Sequence, residues 1–81
     1  MRHATAETLK MIEPLLEEIR SVPGLVEKRP GVFYRRSRAV LHFHEDPSGL
    51  HADVRIGEEF ERVRAETDME REALMARIRA V

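Results

Sequence analysis

Three of the four histidines, His42, His44 and His51, fall within one ten-residue stretch, and Asp53 follows directly. Neutral imidazole is a common zinc ligand, and it is the side chain that titrates nearest physiological pH. Residues two apart on a strand, or directly opposite one another, lie about 5–7 Å apart. If the stretch folds as a hairpin, the three imidazoles could bind zinc or a similar ion. Asp53 would be a fourth ligand or the carboxylate that orients a ring. The spacing matches no dedicated metal motif such as H-E-x-x-H. On a two-fold interface the same cluster would bring like charges together near pH 6 and make association pH-sensitive. The plain alternative is a half-exposed polar sheet face, since imidazole tolerates both water and partial burial.

A second candidate is Arg35-Arg36-Ser37-Arg38, with Phe33 and Tyr34 beside it. Such a tip could approach phosphates while an aromatic ring stacks on a base. The net charge of −1 is unlike the basic footprint of most nucleic-acid binders, and arginines at a turn also discourage edge pairing. For catalysis, His42 with Asp53 could form an oriented base, and Ser37 or Ser48 could supply a hydroxyl. Both serines stand where turns favour serine anyway. There is no cysteine, which excludes a thiol nucleophile and a cysteine zinc site. No glycine-rich phosphate loop precedes a helix.

The elements that must position these groups follow from periodicity. Residues 5–22 carry Leu9, Ile12, Leu16 and Ile19 at helical spacing, a stripe that faces a core. Pro14 interrupts it and either kinks one helix or begins a second after a short turn; the unbroken stripe favours the kink. Pro23-Gly24 and Pro30-Gly31 are breaks. Three strand-like segments then follow, at 32–36, 39–45 and 50–56, with an edge strand possible at 60–64. Their short connections demand antiparallel hairpins. Thr67-Asp68-Met69-Glu70 matches a capping box, opening a terminal helix with Leu74, Met75, Ile78 and Val81 on one side.

Register decides which side chains meet, because residues alternate faces along a strand. A four-residue loop, 46–49, sets His44 opposite His51 and His42 opposite Asp53. A two-residue loop, Ser48-Gly49, sets His44 opposite Asp53. Either even loop puts Leu41, Phe43, Ala52, Val54 and Ile56 on one face and the histidines with Asp53 and Arg55 on the other. With Ser37-Arg38 as the first turn, Phe33, Arg35 and Val40 join the histidine face.

Eighty-one residues make one domain with little surplus stability, so covering a second face with another copy is a natural remedy. Charge is also divided along the chain: residues 21–44 are mainly basic and 45–61 mainly acidic, which suits head-to-tail pairing of two copies. With no basic-apolar leader and no apolar run near the roughly 18 residues of a membrane span, a cytoplasmic protein is expected. Pro23-Gly24-Leu25, then Gly31-Val32-Phe33-Tyr34-Arg35-Arg36, Ala39-Val40-Leu41-His42-Phe43 and Gly49-Leu50-His51-Ala52-Asp53-Val54 resemble the opening of MmcQ/YjbR-like bacterial proteins. That resemblance implies a helix followed by an antiparallel meander, suggests DNA binding, and carries over no catalytic residue.

The expected architecture is α+β: an N-terminal helix, a three- to four-stranded antiparallel meander and a C-terminal helix, with both helices on one sheet face. The expected role is a non-enzymatic binding module acting as a homodimer. Metal binding at His42, His44, His51 and Asp53, or nucleic-acid binding at Arg35, Arg36 and Arg38, are the alternatives.

Overall fold

The computed structural model describes residues 2–80. Thr5 caps the first helix, α1 (Ala6–Met11), its hydroxyl accepting from the Thr8 N–H at 3.2 Å. Ile12, at φ −105° and ψ 22°, separates α1 from α2 (Glu13–Arg20), so the chain forms two helices rather than one kinked helix. Pro14 lies in the first turn of α2, where its missing N–H would have no intrahelical acceptor. The apolar stripe survives the break: Leu9, Ile12, Leu16 and Ile19 are all buried. Continuity of a stripe therefore does not establish continuity of the helix.

Six antiparallel strands follow the order of the chain almost throughout. They are β1 (Arg2–His3), β2 (Leu25–Arg29), β3 (Val32–Arg35), β4 (Arg38–Asp46), β5 (Gly49–Ile56) and β6 (Glu59–Arg64). The sheet order is β2-β3-β4-β5-β6, and β1 pairs with β4 alongside Glu45 and His44, beyond the stretch that β3 occupies. The sheet thus has two strands more than the expected meander. β2 escaped the alternation pattern because it is an edge strand ending in Glu27-Lys28-Arg29, and charge is what edges carry. Gly31 turns β2 into β3 at φ +75°, and a Cβ there would lie 2.8 Å from the Leu9 side chain. Only glycine meets both conditions.

The β4–β5 register is that of the four-residue alternative, with His44 opposite His51, His42 opposite Asp53 and Phe43 opposite Ala52. Pairing continues to Asp46 and Gly49, leaving Pro47-Ser48 as the turn. The first hairpin departs from expectation. Arg35 pairs with Arg38 across an Arg36-Ser37 turn, and a bulge admits Val40 as an extra residue, so Phe33 lies opposite Leu41. Phe33 and Val40 are consequently in the hydrophobic core rather than on the histidine face. Val32, opposite His42, takes the place that parity had given them.

Leu41, Phe43, Leu50, Ala52 and Val54 of the central strands pack against α1, α2 and α3 (Asp68–Ala80). All three helices cover that one face. The capping box forms as expected: the Glu70 N–H donates to the Thr67 hydroxyl at 3.1 Å, and the Thr67 N–H donates to Glu70 Oε1 at 3.0 Å. Leu74, Met75 and Ile78 are buried, while Val81 lies outside the described residues. Among the described residues no helix is long and apolar enough to cross a membrane.

Candidate metal centre on the open sheet face

The face away from the helices carries the histidines, and a third strand, β1, adds a fourth one, His3. β1 sets His3 opposite His44, while His42 is two residues back along β4. The His3 and His44 ring centroids are 4.6 Å apart and those of His42 and His44 4.8 Å apart. One ligand atom from each of His3, His42 and His44 falls within 4.8 Å of the others. His3 is held in place through the backbone that follows it. The Ala4 N–H donates to the Phe43 carbonyl at 3.0 Å, and the Thr5 N–H to Glu45 Oε1 at 2.6 Å.

Asp53 lies beneath the cluster as a buried carboxylate. Arg62, its direct partner on β6, donates to both of its oxygens, at 2.8 and 2.9 Å. The carboxylate also approaches His44 Nδ1 at 3.1 Å and His42 Nδ1 at 3.9 Å. The Arg62 hydrogen bonds are the main reason that Asp53 titrates below the usual carboxylate range. Burial pushes His42 and His44 below the ordinary imidazole range, and the pull of Asp53 offsets only part of it. His3 adds to the lowering of both by repulsion. The rings are thereby kept neutral, the protonation state a metal requires.

Of the expected site residues, His42, His44 and Asp53 come together, whereas His51 turns away. Its backbone is opposite His44, yet its Nε2 lies 3.2 Å from Ser48 Oγ and 3.5 Å from Asp46 Oδ1. Ser48, Asp46 and His51 do not form a catalytic relay. A relay needs the carboxylate on one ring nitrogen and the hydroxyl on the other. Here both contacts fall on Nε2, and the serine hydroxyl donates to Asp46 at 2.5 Å.

His3 and Arg62 went unrecognised for different reasons. Arg62 was recoverable, because an edge strand at 60–64 paired with β5 must set some residue opposite Asp53. No local signal marks His3, since a two-residue strand has no periodicity and its partner is some forty residues away. Arg35, Arg36 and Arg38 gather elsewhere, at the start of β4, around a cavity they share with Arg55 and Arg77. Comparison with protein-family models, curated proteins and solved structures finds no match to the chain.

Proposed function

We propose that this chain is a non-enzymatic binding module whose open sheet face holds a divalent transition-metal ion, zinc above all, on His3, His42 and His44. The observation that carries the reading is the convergence of three imidazole ligand atoms within 4.8 Å. Asp53 near His44 Nδ1 supports it, since a carboxylate beside a ligand ring orients that ring. Zinc–nitrogen bonds of about 2.0–2.1 Å set tetrahedral ligands about 3.4 Å apart, so the cluster closes slightly on binding. His3 is its exposed member and has the freedom to swing in. A fourth position remains toward solvent for water or an external ligand.

The test is metal analysis and thermal melting of protein purified without a histidine tag. About one zinc per chain and a zinc-induced rise in Tm are expected, lost in His3→Ala and His44→Ala and kept in His51→Ala. No bound metal together with no stabilisation by added zinc sinks the reading. Equal losses for His51→Ala and His3→Ala would reassign the ligands.

Self-association is a second reading of the same face. Val26 and Phe60 are exposed beside half-buried Val32 and Tyr34, which leaves apolar area on a sheet surface that the described residues do not cover. A second copy packed face to face over that apolar area is the occupant proposed for it.

A further inference from the structure

At the end of the sheet where β3 turns into β4 and β5 into β6, the two hairpin tips and the last turn of α3 border a half-open cavity of about 600 Å³. Five arginines line it: Arg35, Arg36 and Arg38 from the first hairpin, Arg55 from β5 and Arg77 from α3. No described carboxylate is part of the lining. Two of the five are neutralised from outside, Arg38 by Glu58 at 3.7 Å and Arg77 by Glu61. Arg35, by contrast, buries its Nε with no hydrogen-bond partner among the described residues. Arg55 is held by the carbonyls of Ala39 and Glu58, at 2.9 and 3.1 Å, and its guanidinium lies over the Phe60 ring, 4.4 Å from the centroid. Arg36 sits at φ 60°, where glycine or asparagine is favoured. The turn therefore accepts backbone strain at a residue that lines the cavity.

Like charges converging on a concave site repel one another unless an anion joins them. The guanidinium fork suits the planar or tetrahedral oxygens of carboxylate and phosphate. The remaining wall is apolar, formed by Val40, Ile56 and Ala80. A volume of this size falls within the range of small-molecule sites, about 300–1,000 Å³. Sequence-independent nucleic-acid surfaces instead pair a basic track with aromatic platforms, and no aromatic side chain lines this cavity.

We infer that the cavity binds a small amphiphilic organic anion, with its phosphate or carboxylate head on Arg35, Arg36 and Arg55 and its apolar portion against Val40 and Ile56. The site borders the histidine face through Arg55 and Phe60, whose ring meets that of His42 at 5.0 Å, but uses none of the proposed metal ligands. Calorimetric titration of the full chain with octyl phosphate, octanoate, inorganic phosphate and a single-stranded oligonucleotide tests it. Octyl phosphate or octanoate should bind about tenfold tighter than inorganic phosphate, because burying two or more methylenes supplies that factor. The better of the two identifies the head group. Arg36→Gly should weaken that binding about tenfold through loss of a charged hydrogen bond. Because glycine suits this φ, the variant should melt no lower than the parent, and Arg79→Ala, outside the lining, should change nothing. The inference is overturned if the octyl ligands bind no tighter than inorganic phosphate, or not at all. An oligonucleotide that displaces octyl phosphate and depends on the same arginines would overturn it in favour of a nucleic-acid surface.

Discussion

Asp53 is the buried charged residue on which the histidine face depends. Arg62, its partner, is half exposed and can turn to water if the pair is broken. Asp53→Asn is therefore expected to cost about 1–3 kcal/mol, the range for a hydrogen bond to a charged group, rather than the larger loss of a fully enclosed pair. The same substitution removes the one group that raises the pKa of His42 and His44. Proton NMR of the His44 ring should show a further fall in its pKa; a rise would mean that Asp53 does not face the ring in solution. The sign of the wild-type pH dependence follows from linkage. His42 and His44 have folded pKa values below the ordinary one, so the unfolded chain takes up protons first and stability increases with pH. Their contribution is complete above the ordinary imidazole pKa of about 6.5 and is lost as pH falls toward the folded values. Metal-free protein should melt at lower temperature at pH 5.5 than at pH 7.5, roughly the span of imidazole titration, and His42→Ala should flatten the difference. A Tm that is unchanged or rises on acidification would remove the physical basis claimed for neutral rings.

At the scale of elements, the cluster exists because a two-residue strand is pinned to β4. Glu45 makes that attachment: it accepts from the Thr5 backbone N–H, the main cause of its lowered pKa, and faces Arg2 at 4.0 Å. Among the described residues the Glu45 side chain makes no hydrogen bond or ion pair to His3, His42 or His44, and it acts as a positioning residue. Glu45→Ala should weaken zinc binding about tenfold, the lower end of what loss of an outer partner costs. Glu45→Gln, which keeps an acceptor, should restore most of it. Equal zinc affinity in Glu45→Ala and wild type would mean that β1 needs no such anchor. This arrangement also marks how far the sequence could be read. The β4–β5 hairpin was legible because apolar and polar residues alternate without a break from Leu41 to His44 and from Leu50 to Arg55, and only an even loop keeps Phe43 with Val54. The β3–β4 pairing was not, because a bulge at Val40 shifts register without leaving any mark on the alternation. Phe33 was accordingly assigned to the wrong face. Phe33→Ala, at a fully buried position, should cost about 3–5 kcal/mol in urea unfolding, as should Phe43→Ala. A negligible loss for Phe33→Ala would return the ring to the histidine face.

On the scale of the whole molecule, three helices cover one side of the sheet and leave the other without a second layer among the described residues. Layered folds ordinarily bury both apolar surfaces of a sheet or keep the open one polar, and this face is mixed. Its polar centre is the histidine cluster, while Val26, on the edge strand β2, and Phe60, on β6, flank it. Charge does not divide in the same way: on the open face β6 sets Arg62 beside Phe60, whereas Glu61 points to the helix side and pairs with Arg77 of α3. A two-fold axis parallel to the strands would lay Val26 of one copy over the partner's Phe60, an apolar contact. Such an isologous contact makes each apolar residue count twice per dimer. The proposed homodimer should therefore dissociate in Val26→Lys or Phe60→Ser, with mass falling from two chains to one in light scattering and helical circular dichroism preserved. Comparing the mass with and without zinc then separates the two occupants of the face. If the ion and the second copy share the histidines, zinc and concentration will shift the monomer–dimer equilibrium together. If they do not, zinc will raise Tm at a fixed mass. Wild-type protein that stays monomeric at every concentration, with Val26→Lys indistinguishable from it, would leave the metal as the only proposed occupant of the face.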